Sequence, residues 1–180
     1  MIITISGRAG SGKSTIAKIL AKKLNLKHYS IGDLQRQIAK EKGISLIELS
    51  KLEEKDDSID RELDRKQVDL GKKEDNFIID GRLSAFFIPN AKLKIFLDAD
   101  EEVRAERILN DQRIEEEGDS AEDVIRQINA REKSENKRYM AYYGFNCYDK
   151  SRYDFVINTS KLTPNEIADD IIKIIKKVTS

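Results

Sequence analysis

The residues with the plainest chemical meaning are Gly7, Arg8, Ala9, Gly10, Ser11, Gly12, Lys13 and Ser14, which spell G-x-x-x-x-G-K-S with Thr15 directly after. This is the spacing of a phosphate-binding loop. Glycines at 7, 10 and 12 free the backbone to turn successive N–H groups toward one anion, and a helix starting near Lys13 adds the positive end of its dipole. Lys13, expected to be exposed on its loop, is placed to reach the β- and γ-phosphates of a nucleoside triphosphate, and the Ser14 hydroxyl to ligate magnesium. The plain alternative is a glycine-rich turn before an ordinary helix. Context argues against it, because Ile2-Ile3-Thr4-Ile5 reads as a buried parallel strand and Ile16, Leu20 and Leu24 recur every four residues.

Phosphoryl transfer needs positive charge converging on the moving group from several elements. Asp80-Gly81-Arg82 follows an apolar strand directly, so Asp80 can hold a magnesium shell and Arg82 a second phosphate, with Gly81 letting the backbone turn. Arg36 lies in Ser30-Ile31-Gly32-Asp33-Leu34-Gln35-Arg36, past another strand, where it points over the sheet's carboxyl edge or else stands as a solvated surface charge. Arg131, Glu135 and Arg138 share one helical face, a phosphate grip or a salt-bridged solvent face. Arg104 and Arg107 carry the same two readings, and the Arg107 guanidinium can stack on a purine. His28, Cys147 and Tyr139, Tyr142, Tyr143, Tyr148 and Tyr153 read as packing residues without chemistry.

These side chains need a frame. Strand candidates at 2–5, 27–30, 77–80, 93–98 and 155–158 alternate with helical stretches, which predicts an α/β three-layer fold: a parallel sheet of about five strands with helices on both faces. Helices are expected over 33–42, from the S-x-x-E capping box at Ser45, over 53–73 with a break near Asp56-Asp57, from Asp100 past Arg107, and from the Ser120 cap to about Tyr143. A final helix opens at Thr163-Pro164 with Ile167, Ile171, Ile174 and Val178 facing inward. The helical section 30–70 and the acidic stretch 111–122 supply no strand, so they are expected to close over the nucleotides as acceptor segment and lid.

Length and charge set the bounds. At 180 residues the chain makes one domain, and its 33 basic and 33 acidic residues cancel, so no global field recruits nucleic acid or a membrane surface. One cysteine and one histidine can build neither an internal disulfide nor a structural zinc site. With no leader or long apolar run, a cytoplasmic location is expected.

Taken together, G-x-x-G-S-G-K-S, S-x-G-D-x-x-R, I-D-R-E-x-D-R-K-Q, D-G-R-L-S, L-K-I-F-L-D-A, V-R-A-E-R, R-E-x-x-x-x-K-R-Y and Y-D-F-V-I-N-T-S resemble the cytidylate kinases of the short archaeal type over almost the whole chain. The resemblance implies that magnesium ATP phosphorylates CMP and dCMP. It also implies Arg36, Arg61 and Arg82 on the acceptor nucleotide and Arg131 and Arg138 on the transferring phosphate, in an enzyme expected to be monomeric. Two positions depart from the pattern. Lys13 stands where many short relatives look to carry threonine, and Leu83 followed by Ser84 stands where the bacterial enzymes read cytosine with an aspartate. Ser30, Asp33 and Ser84 are therefore the candidate base readers. Two other functions compete: an adenylate kinase-like enzyme of different base specificity, and a P-loop switch or assembly factor that reports its ATP state to a protein partner. The arginine set argues against the switch, which needs no second phosphate pocket.

Overall fold

The structure, a computed structural model, describes residues 1–111 and 120–179. Five strands, β1 (Ile2–Gly7), β2 (Lys27–Ser30), β3 (Phe77–Asp80), β4 (Leu93–Asp98) and β5 (Phe155–Asn158), form one sheet in the order β2-β3-β1-β4-β5. Every pairing is parallel. From β1 the chain crosses to the edge at β2, returns to β3 beside β1, then passes to β4 on the other side of β1 and outward to β5. A crevice therefore opens at the carboxyl end of β1, where ligands of open α/β sheets bind.

Alternation along the strands divides the core. Ile3, Ile5, Ile78, Ile95 and Leu97 face α1 (Lys13–Leu24) and α8 (Pro164–Thr179), through Ile16, Leu20, Ile167, Ile171 and Ile175. On the opposite face Ile2, Phe77 and Ile79 meet Ile31, Leu63 and Ile88, from α2 (Ile31–Lys42), α4 (Ser58–Lys73) and the end of the one-turn α5 (Ser84–Phe87). Between α2 and α4 lies α3 (Leu46–Glu53), which packs against α7 (Ala121–Tyr143), and α7 lies beside α6 (Glu101–Asn110).

Local signals place most helix ends. Ser45 and Glu48 make the reciprocal capping box of α3, and the Ser120 hydroxyl accepts from the Asp123 amide at the start of α7. Gly43 and Gly144, at φ 67° and 59°, end α2 and α7. The break at Asp56-Asp57 separates α3 from α4 as expected, while α2 begins two residues early because Ser30 caps it through the Asp33 amide. The inward stripe of α8 needs correction: Val178 is 40% exposed, and Ile175 is buried with Ile167 and Ile171. Ile174 is half-buried against the same core, and only the further step to Val178 carries the row off it. The expected lid, 111–122, falls mostly on residues 112–119, outside the described residues. Among the described residues no helix is long and apolar enough to cross a membrane.

Candidate active site

The phosphate loop leaves β1 at Gly7 and enters α1 at Lys13, beneath a cleft bounded by the loop, α2, α4 and the Asp80-Gly81-Arg82 turn. Gly10 sits at φ 74°, and a Cβ there would lie 2.5 Å from the Arg104 carbonyl oxygen, so only glycine fits against α6. Gly81 is glycine for a different reason than the expected turn. Its φ lies outside the left-handed region, but a Cβ would stand 2.5 Å from Ser84 Oγ and 2.9 Å from Ile31 Cγ1.

Behind the loop stands a frame of buried charge. Glu132 of α7 accepts from Arg8, from the Ala9 amide at 3.3 Å and from Arg104 at 3.0 Å, and Arg104 also donates to the Ala9 carbonyl at 3.2 Å. Arg107 donates to Thr159 Oγ1 at 3.0 Å and to the Thr159 carbonyl at 2.7 Å, and lies 3.5 Å from the Gly10 carbonyl. Loop geometry thus depends on α6, α7 and the end of β5 together. Arg104 and Glu132 are scaffold residues that sequence reading left unresolved or missed. The spacing of Glu132 and Glu135, three apart on one helix, was the available signal.

Inside the cleft, Lys13 Nζ donates to the Arg8 carbonyl at 2.7 Å. The lysine is half-buried rather than exposed, and burial, reinforced by the Arg82 charge, pulls its pKa well below the usual lysine value. Arg82 Nε donates to Glu135 at 2.8 Å and its Nη1 to the Gly7 carbonyl at 2.8 Å. Arg131 pairs with the same Glu135 at 3.0 Å and donates to Gln35 at 3.3 Å. Burial by itself would raise the Glu135 carboxyl, but the two guanidiniums override it and hold the pKa at about 2. The face carrying Arg131, Glu135 and Arg138 is therefore buried, at 8%, 0% and 3% exposure, and is not a solvent face.

Asp80 Oδ2 accepts from Ser14 at 2.8 Å and from Ser30 at 2.9 Å, while Oδ1 meets His28 Nε2 at 2.7 Å. His28, read from sequence as packing, instead fixes this carboxylate. Magnesium prefers oxygen donors and is commonly held by one or two carboxylates plus substrate phosphates. Ser14 and Asp80 fit that description, and among the described residues no cluster of three or more His, Cys, Asp or Glu offers an all-protein cage.

Arg36 lines the cleft and pairs with Asp33. Two other arginines face elsewhere. Arg61 extends into solvent, 71% exposed, on Asp57 at 2.6 Å. Arg138 is enclosed behind the cleft wall, donating to Asp60 and Glu53 at 2.8 Å each and to the Ser50 carbonyl at 3.3 Å, which ties α7 to α3 and α4. Contact with a nucleotide would require both to leave these partners. Ser84 donates to Gln67 at 2.8 Å, and Ser30 and Asp33 are engaged as described. Thr15 is exposed at the start of α1.

The tie at Arg138 has a pH signature. Burial, then the neighbouring Asp60 charge, pushes Glu53 up to about 7, so the folded state binds a proton that the unfolded chain releases near 4.5. A raised carboxyl makes stability fall as pH rises through that interval. Glu53→Gln removes the burden while Asp60 still balances Arg138. Between pH 5 and pH 8 the variant should gain on the wild type by about 2–3 kcal/mol, roughly 4–12 °C in Tm. A constant difference in Tm across that range would show that Glu53 is ionised throughout.

Parallel sheet, phosphate loop and convergent arginines together define a P-loop kinase. The profile of the cytidylate kinase-like family matches residues 2–161, and the chain belongs to that family. A cytidylate kinase of Pyrococcus horikoshii is 46% identical over 167 residues, covering 93% of this chain and 84% of the relative. Among solved structures, a protein from Eubacterium ventriosum superposes with TM-score 0.72 at 22% identity over 98% of both chains. A shikimate kinase from Acinetobacter baumannii superposes with TM-score 0.61 at 15% identity, over 98% of this chain and 93% of that one. At such identities the structural likeness speaks for the fold alone.

Proposed function

We propose that the protein transfers the γ-phosphoryl group of magnesium ATP to CMP or dCMP, giving ADP and CDP or dCDP. The observation that carries this reading is the single cleft in which the phosphate loop meets a second cationic set, Arg36, Arg82 and Arg131, against the polar wall of α4. A donor triphosphate and an acceptor monophosphate need such a double site. The names of the archaeal relatives supply the cytidine nucleotide.

In this reading the loop amides and Lys13 hold the donor phosphates, with Gly7 to Thr15 and Arg107 forming the ATP side. Arg36 and Arg82 hold the acceptor phosphate, and Lys13, Arg82 and Arg131 surround the transferring group, where charge spreads onto the equatorial oxygens. Arg61 and Arg138 join them once released from Asp57 and from Glu53 with Asp60. Ser14 and Asp80 would hold Mg2+, whose chemistry is to neutralise charge on the donor phosphates. Segment 30–70 carries the acceptor and 111–122 the lid of one kinase domain, acting as a cytoplasmic monomer.

Product formation from CMP, dCMP, UMP and AMP with magnesium ATP tests the proposal. CDP and dCDP should dominate. Preference for AMP would return the chain to adenylate kinase-like specificity, and ATP hydrolysis indifferent to every monophosphate would favour a switch.

A further inference from the structure

Base identity is not legible in the residues named for it from sequence. Ser30 is spent on Asp80, Asp33 on Arg36 and Lys18, and Ser84 on Gln67. What faces the cleft is one side of α4, where Asp60, Asp64 and Gln67 follow at helical spacing. Asp60 is bound to Arg138. Asp64 and Gln67 are a carboxylate and an amide side by side.

Their orientations are set from outside the cleft. Tyr143 donates to Asp64 Oδ2, and Asp64, half-buried, presents only acceptors once ionised. Gln67 is 2% exposed, and its Oε1 accepts from the Ser84 hydroxyl at 2.8 Å, which assigns the amide NH2 to the cleft side. The wall therefore offers an acceptor beside a donor.

We propose that Asp64 and Gln67 read the acceptor base, the Asp64 carboxylate taking the exocyclic amino group of cytosine and the Gln67 amide donating to the ring N3. This rests on the cytidine nucleotide being the acceptor. Cytosine carries a donor at position 4 next to the N3 acceptor, the complement of this wall. Uracil reverses both groups: its O4 would face the Asp64 carboxylate, and its N3–H would face the Gln67 amide hydrogens. A site built to hydrogen-bond one pattern discriminates strongly against the other, because mismatched polar groups stay buried without partners. Ser84 then acts through Gln67 as a positioning residue.

The test compares kcat/KM for CMP and UMP in wild type, Asp64→Asn and Gln67→Glu, both substrates assayed on one preparation so that the ratio is independent of the folded fraction. Wild type should favour CMP. Asp64→Asn gives O4 a donor, and Gln67→Glu places an acceptor against N3 of cytosine and N3–H of uracil. Each should lower the CMP-to-UMP ratio by about tenfold to a hundredfold with KM for ATP little changed. Parallel losses for CMP and UMP, or an unchanged ratio, would overturn the assignment while leaving the CMP reading intact. A wild-type enzyme that prefers UMP or AMP would overturn the CMP reading and this assignment with it.

Discussion

Lys13→Ala should lower kcat by roughly a hundredfold to a thousandfold without weakening the fold. The ammonium sits 2.7 Å from the Arg8 carbonyl, in a cleft it shares with Arg82 and Arg131. Burial and the Arg82 charge disfavour its protonated form. Arriving phosphates supply the missing negative charge, and the gain grows as charge accumulates on the transferring group, so the loss falls on the transition state more than on ground-state binding. Because the lysine is repelled by its neighbours, alanine should leave Tm unchanged or raise it slightly. Single-turnover kinetics beside a melting curve separate the two effects. A variant that melts normally and turns over near the wild-type rate would remove Lys13 from the chemistry.

What the chain disclosed in advance was local. Strand, glycine loop and helix follow one another within residues 2–24, and the Asp80-Gly81-Arg82 turn sits at the end of β3, so periodicity and capping signals sufficed for the fold and the cleft's floor. The frame around the loop could not be read that way. Glu132 and Arg104 lie 28 residues apart, and each pairs with a loop more than 90 residues earlier. A charged helix face looks the same in sequence whether water or a buried counter-charge meets it, which is why the Arg131, Glu135 and Arg138 row stayed ambiguous. The contact of His28 with Asp80 is hidden for a related reason, since Asp80 reaches it only through the pairing of β2 with β3. Arg61 entered only through the family resemblance, and packing leaves it exposed on α4 with Asp57.

Glu135→Gln should be the most destabilising of the conservative changes at this site. The carboxylate is fully buried, pairs with Arg82 at 2.8 Å and Arg131 at 3.0 Å, and accepts from the Tyr148 hydroxyl at 2.9 Å. The amide keeps the shape of the carboxylate but loses the negative charge that the two guanidiniums share. Breaking a buried ion pair from one side costs about 3–5 kcal/mol, roughly 6–20 °C in Tm for a chain of this length. The pH dependence carries a sign of its own. With its folded pKa held at about 2, below the ordinary 4.5, Glu135 contributes stability that is complete above pH 4.5 and is lost as pH falls toward 2. The gap between wild type and variant should close over that acid interval. Phosphate should act in the opposite direction to the mutation. An anion held by Arg82 and Arg131 replaces the lost carboxylate, so ATP or inorganic phosphate should raise the Tm of the variant more than that of wild type. A variant that melts within a degree or two of wild type at pH 7, and gains no more from phosphate, would mean that the two arginines are not held by Glu135 between turnovers.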